Sequence, residues 1–233
     1  VQPPGMGALS SNPTDGIGAQ LTRLAQYVSP ALGEYFLAVG VKFNSFRVLD
    51  AFALLVLRLN TNSMHFFIDL LGVATLKVPS ESPEILAFIR LNIRASIDPQ
   101  AGVILIQAQL TPESWLIAPE CHLQGGVAYG LWLLGENAGD FVYCVGGYHP
   151  HFRLPAHYPR VPRLGFSWSI SDAVSIKGDL YYALTPIAAM AGGHLSANWH
   201  SGDLKAWFNL GIDLLIQWKP FHYEASAYIE IGA

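Results

Sequence analysis

An antiparallel all-β fold follows from two features of the chain: apolar residues on every second position, and turn residues at short intervals between such runs. From Val174 to Leu184, Val174, Ile176, Leu180, Tyr182 and Leu184 fall on one side of an extended segment, and Ser175, Lys177 and Asp179 on the other. The period repeats from Leu204 to Leu214, where Leu204, Ala206, Phe208, Leu210, Ile212 and Leu214 oppose Asp203, Lys205, Asn209 and Asp213. A period of two belongs to a strand, so each run gives a sheet one dry and one wetter face.

Taken in order, the chain opens with a Gly-, Pro- and Ser-rich arm over residues 1–15. The single domain that follows, residues 16–233, begins with the one short helix the sequence predicts. There Ile17, Leu21, Leu24 and Val28 recur at helical spacing behind an Asp15 cap and before Pro30. About eleven or twelve amphipathic strands follow. Tyr35, Leu37, Val39, Val41 and Phe43 alternate in the first, and the run from Ile85 to Ile97 sets Arg90, Asn92, Arg94 and Ser96 on one side. Turn signals stand at Asn60-Thr61-Asn62, Pro79 to Pro83, Asp98 to Gly102, Thr111-Pro112, Gly135 to Gly139, Ser171-Asp172, Gly192-Gly193 and Ser201-Gly202-Asp203. This spacing suits a meander forming a curved sheet, sandwich or barrel, and leaves no room for crossover helices.

Composition narrows the function. The chain has 233 residues, 52% hydrophobic and 13% charged, against roughly 25% charged in typical soluble domains. Polar side chains are therefore too few to clothe the whole surface, and a lipid-like ligand, further protein or a bilayer is expected to cover the rest. A net charge of -4 with 13 scattered Lys and Arg gives no basic patch, which excludes nucleic acid as a partner. The opening Val1-Gln2-Pro3-Pro4-Gly5 and the strand-like ending read as a fragment of a longer protein. Cys121 and Cys144 read as two buried thiols rather than a disulfide framework.

The segments Gly146-Gly147-Tyr148-His149-Pro150-His151-Phe152, Pro155-Ala156-His157-Tyr158-Pro159 and Val161-Pro162-Arg163-Leu164-Gly165 form a long connection rich in proline, histidine and aromatics. With Ala183-Leu184-Thr185-Pro186, Met190-Ala191-Gly192-Gly193 and Trp218-Lys219-Pro220-Phe221-His222-Tyr223, they resemble a large uncharacterised family of bacterial and some fungal proteins. That family is known only as a domain of unknown function (DUF6603-like). The resemblance implies a longer parent protein and names no chemistry.

Catalytic motifs are missing: there is no G-x-S-x-G elbow, and Gly16-Ile17-Gly18 lacks the strand a nucleotide fingerprint needs. His149, His151 and His157 are the candidate metal ligands, for Zn or Fe, since residues two apart in an extended segment project to one side. Trp132, Trp168, Trp199, Trp207, Phe208 and Tyr182 are the candidate lining for an apolar ligand. Three functional classes follow: a non-enzymatic structural or binding β-module that takes up a hydrophobic, lipid-like ligand or a neighbouring protein module; a metal-dependent enzyme centred on the three histidines; and a membrane-embedded β-barrel. The first needs no cofactor and no missing motif.

The candidate strand from Phe221 to Ile231 carries only Glu224 and Glu230 as charged protection along its length. Such an edge is expected to pair, with neighbouring segments of a longer parent chain or with a copy of itself. Light scattering on the isolated chain is expected to show concentration-dependent association, and a clean monomer across a wide range would contradict it.

Overall fold

A computed structural model describes residues 32–45, 49–79 and 84–233. The N-terminal arm and the helix expected over Ile17 to Val28 lie outside them. Among the described residues there are fourteen strands and no helix: β1 (Glu34–Ser45), β2 (Leu49–Asn60), β3 (His65–Val78), β4 (Ala87–Asp98), β5 (Val103–Leu110), β6 (Trp115–Leu116), β7 (Ala118–Gln124), β8 (Gly126–Trp132), β9 (Asp140–Val145), β10 (Leu164–Ser169), β11 (Val174–Leu184), β12 (Ala188–Ser201), β13 (Leu204–Trp218) and β14 (Phe221–Gly232). All pairings are antiparallel and all belong to one sheet.

Fourteen strands fill only eleven positions across the sheet, because the three central positions are each split in two. β4 pairs with β5 along residues 91–98 and with β6 at Ala87 and Phe88. β8 and β7 run on from one another, taking β5 and β6 on one side and β9 and β10 on the other. β11 likewise pairs with β10 through its first half and with β9 through its last residues. The splits have local causes. The register shifts between Trp115 and Leu116, and Ile117, next in the chain, sits at φ 71°; such a bulge bends the strand that carries it. Gly125, at φ 127°, joins β7 to β8 where an added Cβ would stand 2.4 Å from Leu164 Cα, so only glycine fits.

Between β9 and β10 the chain leaves the sheet at Gly146 and returns at Leu164. Its two ends meet: a Cβ on Gly146 would lie 2.7 Å from Leu164 N and 2.2 Å from Leu180 O. The proline-rich connection is thus an excursion that starts and finishes at one point of the sheet, like an Ω-loop. It folds back over one face and makes the main core there. Tyr148, Phe152, Leu154, Tyr158 and Val161 pack on Trp132, Val142, Cys144, Tyr181, Ala183, Met190 and Leu215.

Polar groups in the loop find partners, as buried groups must. The Tyr148 hydroxyl donates to the Pro159 carbonyl at 2.8 Å, and the Arg163 guanidinium donates to the carbonyls of Gly146 and Tyr148 at 3.2 and 2.9 Å while lying 3.8 Å above the Tyr181 ring. Both cysteines are free and buried. Burial pushes the Cys144 thiol up to about 11, against the hydrogen bond it gives the Gly147 carbonyl, so it is inert at neutral pH.

The turn signals at Asn60 to Asn62, Asp98 to Gly102, Gly135 to Gly139, Ser171-Asp172 and Ser201 to Asp203 fall between strands. Gly192-Gly193 does not: it lies inside β12, and the glycine there makes room for neighbours rather than a turn. A Cβ on Gly192 would meet Tyr181 Cε1 at 2.4 Å and Asp213 Oδ1 at 2.6 Å. Arg90 and Arg94 also part company. Arg90 reaches Glu113 at 2.8 Å, whereas Arg94 is exposed.

The loop-covered core predicts an asymmetric mutational response. Phe152→Ala is expected to cost about 3 kcal/mol, as for large-to-small changes in packed cores. Ile212→Ser, on the other face and 59% exposed, is expected to cost about 0.5 kcal/mol or less, as surface changes do. Urea unfolding of the two variants against the native chain measures both.

Candidate functional site

Register decides which side chains share a face, because directly paired residues project to the same side. Leu37, Leu57, Ile68 and Ile97 are linked in this way across β1 to β4. From Ile97 the series continues through Ile104, Leu131 and Phe141. Beyond the central positions, Ile229, Leu210, Leu195 and Gly178 form a matching row across β14 to β11. Within the described strands, this face carries no charged side chain. Charged strand residues such as Arg58, Asp69, Arg90, Lys177, Asp179, Asp213, Glu224 and Glu230 all project from the face that the loop partly covers.

The apolar face has no second layer among the described elements, and many of its members are exposed: Leu37 61%, Val39 50%, Leu180 49%, Ile212 59% and Ile229 66%. At its centre is a hollow of about 490 Å³ lined by Ile89, Leu91, Leu110, Val127, Phe166 and Leu180 among others. Leu91 on β4 and Leu180 on β11 are four sheet positions apart, about 19 Å in a flat sheet at about 4.8 Å per step. The hollow therefore runs across the split central strands. The volume lies within the range of about 300–1,000 Å³ usual for small-molecule sites.

Of the six aromatics expected to line a ligand site, Trp168, Trp199, Phe208 and Tyr182 stand on the apolar face. Trp132 and Trp207 do not. Trp132 is 5% exposed in the core under the loop, 4.7 Å from the His157 ring and 5.5 Å from the Tyr158 ring. Trp207 projects from the charged face beside Gly232. The aliphatic lining of the hollow was the part that sequence reading missed, although the alternation that exposes it was visible.

The three histidines separate as well. His157 Nε2 is 2.8 Å from Asp140 Oδ2, and Tyr158 donates to Asp140 Oδ1 at 2.6 Å, so His157 clamps the loop to the start of β9. His149 and His151 stay together, with ring centroids 5.5 Å apart, and the third member of their cluster is Glu224 of β14. His151 Nδ1 lies 2.6 Å from Glu224 Oε1. His149 is 4% exposed, and burial holds its imidazole below the ordinary value. No spacing rule links residue 224 to residue 149.

Next to this cluster runs a second polar chain across β11, β12 and β13. His194 Nδ1 is 3.0 Å from Asp179 Oδ1 and its Nε2 is 3.2 Å from Asp213 Oδ2, while the Tyr181 hydroxyl donates to Asp213 Oδ1 at 2.7 Å. The hydrogen bond to Asp179, helped by Asp213, raises His194 above 6.5 against the opposing effect of burial. Burial would raise Asp213, but the hydrogen bonds from Tyr181 and His194 prevail and hold its carboxyl below 3.8.

A histidine whose folded value is raised stabilises the protein fully below its unfolded value, and that contribution is lost as pH rises through the folded value. The difference in unfolding free energy between the native chain and His194→Gln is therefore expected to be greatest near pH 5.5 and to shrink toward pH 8.5. Its size should be about 1 kcal/mol or less because of solvent screening. Urea titrations across that range check the sign, and a difference that grew with pH would contradict it.

No curated protein and no solved structure matches this chain. One family model does, over residues 5–233 and so over nearly all of the sequence. The chain belongs to that family of unknown function, DUF6603.

Proposed function

We propose that this protein is a non-enzymatic binding module that lays a lipid-like ligand along the apolar face of its sheet, with the central hollow as the anchoring point. The observation that carries this reading is the face without a charged side chain in any described strand. Contiguous exposed apolar patches on soluble monomers rarely exceed a few hundred Å², and this one spans eleven strand positions, about 48 Å at about 4.8 Å per step. Covering 400 Å² of it is worth about 10 kcal/mol at about 25 cal/mol per Å², comparable with the cost of association.

The ends of the sheet bear on the same reading. β1 and β14 each pair on one side only and not with each other, so the described sheet is open at both edges. Open edges favour a neighbouring module or a second copy continuing the sheet, which would lengthen the apolar face strand by strand. An acyl chain, flexible and without hydrogen-bonding needs, is the ligand that such a surface accommodates best. No helix among the described residues is long and apolar enough to cross a membrane.

Binding of cis-parinaric acid, read by its fluorescence, tests the reading. The native chain is expected to bind it, Leu180→Asp in the hollow to weaken binding at least tenfold, and Lys177→Ala on the opposite face to leave it unchanged. Equal binding by all three, or none by the native chain, would refute the role of this face.

A further inference from the structure

We propose that His149, His151 and Glu224 form a site for a transition-metal ion of the Zn²⁺ class, and that the ion fastens the excursion loop to the outermost strand, β14. Each residue offers one ligand atom, and the three atoms lie within 4.8 Å of one another. Tetrahedral zinc with bonds of about 2.0–2.1 Å to nitrogen and oxygen sets its ligand atoms about 3.3 Å apart. The needed contraction falls on His151, whose side chain is 70% exposed and free to swing. His149, buried in the loop core, supplies the fixed point.

The donor set selects the metal class. Two imidazoles and one carboxylate suit zinc and its neighbours, whereas calcium and magnesium require oxygen ligands. The nearby cation, Arg163, is held against the Tyr181 ring and two loop carbonyls.

Binding rearranges two hydrogen bonds. The His151 N–H donates to His149 Nδ1 at 3.1 Å, and the proton between His151 Nδ1 and Glu224 Oε1 joins those two groups at 2.6 Å. The ion displaces that proton to His151 Nε2 or to solvent, as metals do when they take protonated ligands. It also replaces the backbone N–H at His149. Water completes the coordination. The site projects from the face opposite the apolar hollow, so its role is to hold β14, which among the described strands otherwise pairs only with β13.

The experiment uses the full chain stripped with chelator and titrated with zinc chloride in a calorimeter, with Co²⁺ absorption as a second readout. One equivalent is expected to bind, with tetrahedral Co²⁺ bands and slower hydrogen exchange over residues 221–232. His151→Ala and Glu224→Gln, both at accessible positions, are each expected to weaken binding at least tenfold, while His122→Ala on exposed β7 keeps native affinity. His149→Ala is avoided because that ring is part of the core. Absence of stoichiometric binding, or binding indifferent to His151→Ala and Glu224→Gln, would overturn the site. Binding without added protection of residues 221–232 would overturn the fastening.

Discussion

The return of the chain to its own point of departure, at Gly125, Gly146 and Leu164, is the constraint on which the rest of this structure depends. A single sheet has two faces and can bury neither without help. Here the help comes from within one strand position, where β9 stops, the chain makes its excursion, and β10 resumes. Two backbone segments approach closely enough at this junction that a Cβ on Gly125 or Gly146 would overlap its neighbours at 2.4 or 2.2 Å, well inside van der Waals contact. Because the loop starts and ends at the sheet, its aromatic side chains can be placed on only one side of it. That side becomes the core.

From this asymmetry the distribution of polarity follows. The covered face can hold charged and polar residues, since loop, neighbouring strands and solvent all offer partners. Asp140 takes His157 and Tyr158, Asp213 takes His194 and Tyr181, and Glu224 takes His151. A charge on the other face would sit among aliphatic and aromatic neighbours and would hinder any apolar occupant. The hollow lies over the split strands at the centre of this face. Fold and proposed binding surface thus share one origin.

Much of this was legible beforehand. Strand identity and side-chain alternation are local properties, so Val174 to Leu184 and Leu204 to Leu214 read correctly as strands from their own residues. Most turns were legible for the same reason. Gly192-Gly193 was misread because a glycine that avoids a clash with Tyr181 and Asp213 looks, in isolation, like one that makes a turn. The strand number also differed, since a bulge at Trp115 and Leu116 and the positive-φ Gly125 divide strands without changing the alternation on either side.

The site was less legible than the fold, and the reason is distance along the chain. His149 and His151 are two residues apart and stay together, as extended backbone requires. His157, eight residues from His149, is turned away to Asp140, while Glu224, 73 residues from His151, arrives through the pairing of β13 with β14. Similarly, Trp132 and Trp168 look alike as aromatic strand residues, yet one is sealed under the loop and the other stands on the open face. The sequence by itself determined the strands, their alternation and the scarcity of charge, because each is set by neighbours in the chain. Only the tertiary structure decided which face the excursion covers and which distant carboxylate meets the histidines. Those outcomes depend on register and loop closure summed over the whole sheet.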